Sequence, residues 1–120
     1  MTETYPKRYD LEERTLAFAR AIRSFVKGLR KTMSNMEDCK QLIRASGSVG
    51  SNYIEANEAL GKKDFLMRVK ICRKEAKESR YWLKLLDIGV VHKLEEQRRE
   101  LEQEATELMN IFGSILKKSE

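Results

Sequence analysis

Proline is nearly absent from this chain. Pro6 is the only one, so nothing beyond it breaks a helix by lacking an N–H and clashing with the preceding turn. Histidine is as scarce. With His92 alone, the E-x-x-H pairs of di-iron carboxylate bundles cannot form, and no Ser, Cys or Asp is spaced with it as a catalytic triad requires. The two cysteines, Cys39 and Cys72, lack C-x-x-C spacing and are too few for a disulfide framework. They are expected to be reduced core residues. No apolar run approaches the ~20 residues that span a bilayer, and the start MTETYPKRYD lacks a signal peptide's apolar segment. These absences predict a soluble, cytoplasmic protein that is not an enzyme and has no membrane contact and no cofactor. A metal-binding bundle is the least favoured alternative.

Charge is what the chain has in abundance. Lys and Arg number 24 against 19 Asp and Glu, for a net charge of +5, and charged residues make up 36% of the sequence. That balance suits long solvated helices and a polyanionic partner. With 120 residues, 41% of them hydrophobic, there is material for one core and one domain.

Apolar spacing predicts an all-α fold of four helices over residues 10–120, preceded by an arm over residues 1–9. Helix 1 is expected to start after Asp10, with Glu13 completing a capping box, and to bury Leu11, Thr15, Phe18, Ile22, Phe25 and Leu29. Ser34 with Glu37 reads as the cap of helix 2. Its inner stripe is Cys39, Leu42, Ser46, Val49, Tyr53, Asn57 and Leu60, closed by a left-handed Gly61. Helix 3 keeps a heptad through Phe65, Val69, Cys72, Ala76, Ser79, Leu83 and Leu86. After a break at Gly89, helix 4 runs from about Lys93 to Leu116 through Leu94, Leu101, Ala105, Leu108, Phe112 and Ile115. Short links favour an antiparallel up-down-up-down four-helix bundle.

Leu16, Val26, Leu66, Ile71, Trp82 and Leu85 fall off these stripes. A tryptophan beside Tyr81 and Leu85 has the character of an interface anchor, so Leu66, Ile71, Tyr81, Trp82 and Leu85 are the expected homo-oligomer contact. Gly47 and Gly50 lack the lysine and the strand of a phosphate loop and are expected to let a second helix approach closely. Glu55 with Glu58 and Glu75 with Glu78 form E-x-x-E pairs, but Glu55 and Glu58 point away from the core stripe. The cations are better organised. Arg20, Arg23, Lys27, Arg30 and Lys31 make one outward ridge on helix 1, and Lys70, Arg73, Lys74, Lys77, Arg80 and Lys84 make another on helix 3. The acids gather on helix 4 in Glu95, Glu96, Glu100, Glu102 and Glu104, where they are expected either to pair with neighbouring helices or to leave one ridge free for phosphates.

Residues 41–82 carry a resemblance to a known family. The run Ser46-Gly47-Ser48-Val49-Gly50-Ser51, then Asn52-Tyr53, Glu55-Ala56, Lys63-Asp64-Phe65, Lys74-Glu75-Ala76, Glu78 and Tyr81-Trp82-Leu83 resembles the four-helix-bundle proteins named after the intervening sequences of bacterial 23S rRNA. The accessory variability determinant of diversity-generating retroelements is a distant relative of that family. The resemblance implies a basic homopentamer without a catalytic site, linked to RNA or another nucleic acid. It also implies structural roles for Asn52 and Glu55, which stand where the family's Asn and Glu occur. A protein-interaction scaffold, for example an accessory subunit of a reverse transcriptase, is the alternative.

Overall fold

The computed structural model describes residues 8–120 and, within them, four helices and no strand: α1 (Arg8–Lys27), α2 (Met33–Asn57), α3 (Lys62–Leu85) and α4 (His92–Lys118). Most of the arm expected over residues 1–9 lies outside the described residues, and α1 already includes Arg8. Each helix packs on its sequence neighbours, and α1 also meets α4, so the helices close around one core. The seams are defined by particular contacts. Between α1 and α2, Glu12 accepts from Asn57, Thr15 lies against Gly50, and Arg23 lies beside Gly47. Between α3 and α4, Arg73 covers Gly113 and Arg80 donates to Thr106.

The core is built from the expected stripes. Phe18, Ile22 and Phe25 of α1, Leu42, Val49 and Tyr53 of α2, Val69, Cys72, Ala76 and Leu83 of α3, and Leu101, Ala105, Leu108 and Phe112 of α4 are buried together. Across the middle, the rings of Tyr53 and Phe112 meet with centroids 5.7 Å apart. Such pairs add to the burial energy of both rings. Burial pushes the Cys72 thiol up to about 12, so it behaves as a small inert hydrophobe. Three buried hydroxyls are satisfied by their own helices: Thr15 Oγ1 donates to Leu11 O, Ser46 Oγ to Ile43 O and Ser79 Oγ to Glu75 O.

The helix ends depart from expectation. Asp10 lies inside the first turn of α1, so the helix starts before the point expected. The N-cap of α2 is Thr32, whose hydroxyl accepts from the Asn35 N–H at 3.2 Å, while Ser34 is already helical. A hydroxyl two residues earlier reaches the free amides, so Ser34 is not needed as the cap. α2 stops at Asn57, before Leu60, whose side chain projects fully into solvent. Gly61 is extended and opens α3, with φ −148° and ψ 166°. Gly89 alone is left-handed among the described residues, at φ 66°, and its N–H donates to Asp87 Oδ1. At the end of α3, Arg98 reaches back from α4 and donates to Leu86 O at 2.7 Å. A cation there complements the negative end of the helix dipole.

Candidate nucleic-acid interface

Helix 3 presents two unlike flanks. The spacing i, i+4, i+7, i+11 places Lys70, Lys74, Lys77 and Tyr81 on one stripe, with Arg73, Arg80 and Lys84 beside them. A neighbouring stripe, about a quarter turn round the helix, holds Ile71, Glu75, Glu78, Trp82 and Leu85. The residues expected at the oligomer contact are therefore divided. Ile71, Trp82 and Leu85 share the acidic flank, whereas Leu66 and Tyr81 lie on the cationic one. Trp82 is half-buried against the core, while Tyr81 and Leu85 are exposed.

The cationic flank faces α4 across an open cleft of about 740 Å³, lined by Lys70, Arg73, Lys74, Lys77 and Lys117 with Asn110 and Ser114. No carboxylate lines it. Asn110, Gly113, Ser114 and Lys117 form its α4 wall, which the sequence reading passed over because helix 4 stood out for its acids. The signal was present in the i, i+3, i+4, i+7 spacing of those residues.

All the acids of α4 but the exposed Glu100 are engaged elsewhere. Glu104 and Glu107 hold the fork of Arg14 on α1, with Arg14 Nε 2.7 Å from Glu104 Oε2 and Nη2 2.7 Å from Glu107 Oε1. This bidentate geometry raises the Arg14 pKa. The Glu107 carboxyl is lowered by hydrogen bonds from Gln103 first and Arg14 second. Glu95 pairs with Arg98 and Arg99, Glu96 with His92, and Glu102 with Arg98. Among the described residues no ion pair engages Lys70, Arg73, Lys77, Arg80 or Lys84, and Lys74 has only a 3.9 Å contact with its neighbour Glu75. Arg20, Arg23 and Lys27 are exposed on α1, but the helix ends at Lys27, so Arg30 and Lys31, expected on the same ridge, lie exposed in the link beyond it, with Arg30 3.9 Å from Asp87. Arg20 and Arg23 border a shallow groove over Gly47 and Gly50 that also exposes Leu16 and Ile54.

The motif residues act between helices. Asn52 donates to Ser48 O at 2.9 Å and accepts from Arg68 of α3 at 3.0 Å, tying the α2/α3 seam. Glu55 is exposed. Among the described residues no three His, Cys, Asp or Glu side chains gather as a metal-binding group, and no helix is long and apolar enough to cross a membrane.

The family model described as 23S rRNA-intervening sequence protein matches residues 7–114. The chain belongs to that family. Among solved structures, one from Bacteroides thetaiotaomicron, described as a protein of unknown function from the S23 ribosomal protein family, superposes with a TM-score of 0.79. It is 31% identical, and the match covers 92% of this chain and 97% of that one. No curated protein matches at a comparable level. Family membership thus joins the residue-level resemblance in residues 41–82 to nearly the whole bundle.

Proposed function

We propose that this member of the family is a non-enzymatic nucleic-acid-binding protein, an up-down-up-down bundle that assembles as a homopentamer in the cytoplasm. One observation carries the binding reading: the helix 3 cations line an acid-free cleft, while Glu95, Glu102, Glu104 and Glu107 of helix 4 are held by Arg14, Arg98 and Arg99. Cations left without internal partners are available to phosphates, and they release counterions when they bind them. The bundle topology is supported by seams whose contacts pair rising residue numbers with falling ones, as in Glu12 with Asn57 and Arg23 with Gly47. Assembly is supported by family membership and by the exposure of Leu16, Ile54 and Leu85. Repetition of a weak site around a ring raises affinity through effective concentration.

The test is a filter-binding titration with RNA across salt concentrations. Affinity falls steeply with salt, and, with oligomeric state checked first and affinities compared at equal assembly, the triple variant Arg73→Glu, Lys77→Glu, Arg80→Glu binds less tightly than the triple variant Arg20→Glu, Arg23→Glu, Lys27→Glu. Salt-insensitive binding, or full binding by both variants, would favour a protein-interaction scaffold instead.

A further inference from the structure

The α3/α4 seam combines three elements that together select one form of nucleic acid. The first is a continuous positive track. From the cleft at Lys70 and Arg73 it continues past Arg80, held by Thr106 at 3.1 Å, to a second groove with Lys84 and Arg99, where Glu102 is the first acid. Lys70 to Lys84 spans about 21 Å of helix. The second is a low floor. A Cβ on Gly113 would meet only the Arg73 side chain, 3.8 Å away at Cδ, so the backbone of α4 lies close beneath the cations with neutral Asn110 and Ser114 beside it. The third is an exposed ring on the same helix stripe as Lys70, Lys74 and Lys77. Tyr81 lies one turn beyond Lys77, is 58% exposed, and is braced edge-to-face on Trp82 with centroids 5.1 Å apart. Trp82 packs against the core, which fixes the brace.

We propose that this seam binds a single unpaired nucleic-acid strand, with its phosphates on Lys70, Arg73, Lys77 and Lys117 and one base stacked on Tyr81. The inference rests on the nucleic-acid reading above and goes further by naming the form bound. A positive groove with an aromatic platform takes unpaired bases, whose faces are free to stack. In a duplex those faces are already stacked on one another, so a duplex offers the seam only phosphates at its rim.

Fluorescence anisotropy with a mixed-sequence single-stranded RNA of about 20 nucleotides, longer than the roughly 4 to 16 that one binding fold covers, tests this against the same RNA as a blunt duplex. Oligomeric state and helicity of every variant are checked first. The strand is expected to bind at least about tenfold more tightly than the duplex. Tyr81→Ala should weaken strand binding about tenfold and leave duplex binding unchanged, whereas Tyr81→Phe should bind as wild type. Lys117→Glu should reduce the salt slope by about 0.7 or more. Gly113→Leu should raise the melting temperature, because leucine favours helix over glycine, while lowering affinity by filling the floor. If the protein binds RNA but holds duplex as tightly as strand, or if Tyr81→Ala and Gly113→Leu bind as wild type, the single-strand site is overturned and the broader function stands. If neither RNA binds, the nucleic-acid reading fails, and this inference fails with it.

Discussion

Asn35 is the side chain on which the end of the bundle depends. It is buried, and its carboxamide Nδ2 donates to Arg30 O at 3.0 Å and Asp87 O at 2.8 Å, while its Oδ1 accepts from Asp87 N–H at 3.0 Å. One amide thus joins the α1–α2 link to the α3–α4 link. Nothing in the sequence singled it out, because its partners are backbone groups of segments far apart in the chain. Asn35→Leu removes all three hydrogen bonds at once and should destabilise the protein by about 2–3 kcal/mol in urea unfolding; a change below about 0.5 kcal/mol would show that water replaces the amide. Glu75 gives a second, pH-dependent prediction. Burial, and then Glu78 beside it, hold its carboxyl above the usual range despite Lys74 and Arg44. At about pH 3 the carboxyl is protonated in folded and unfolded chains alike. As pH rises the unfolded chain ionises first, so the folded state loses stability until its own carboxyl has ionised. Glu75→Gln should therefore be near neutral at about pH 3 and stabilising at pH 7, and thermal melts showing an equal effect at both would refute the assignment.

At the scale of the element, the glycines of α2 are not equivalent. A Cβ on Gly50 would lie 2.8 Å from Thr15 Oγ1 and 3.2 Å from Thr15 Cβ, and that threonine is buried with its hydroxyl bonded to Leu11 O. It has no room to yield. Gly50→Ala should force α1 from α2, and a packing loss of about 1–3 kcal/mol is expected to exceed the roughly 1 kcal/mol gained in helix propensity. A Cβ on Gly47 meets only Arg23 Nη2, at 3.4 Å, the far end of an exposed flexible side chain. Gly47→Ala should therefore be neutral or stabilising by up to about 1 kcal/mol. Guanidinium unfolding of both variants separates the two effects, and equal losses would mean that Arg23 is as fixed as Thr15. Periodicity had marked both glycines for close packing, and it could not say what stood opposite each. It served best where one helix carried an unbroken heptad: Val69, Cys72, Ala76, Ser79 and Leu83 are all buried as expected. It failed at the ends, where one hydroxyl decides a cap, as Thr32 does over Ser34, and where Leu60 continued the pattern past the point at which α2 stops. The cationic wall of α3 was legible from charge spacing, but the α4 wall opposite it became apparent only when the fold brought Asn110, Ser114 and Lys117 to the same cleft.

At the scale of the whole molecule, a ring of five copies needs two different patches on each, because heterologous contacts close a cyclic assembly of odd number. Two such patches are present. One is the α1/α2 groove with exposed Leu16 and Ile54 bordered by Arg20 and Arg23. The other is the flank of α3 with Ile71 and exposed Leu85, which also carries Glu75 and Glu78. In the proposed ring, docking the first on the second would set Arg20 and Arg23 near Glu75 and Glu78. Leu16→Glu and Leu85→Glu should each dissociate the assembly to monomers in light scattering coupled to gel filtration, with helicity unchanged. The two variants carry complementary damage, since each keeps the patch that the other has lost. Mixed in equal amounts, they should therefore recover one intact contact per pair and run as a one-to-one dimer. An interface that pairs the same patch with itself would give no such recovery, and a pentamer that persists in both variants would place the contact elsewhere on the bundle.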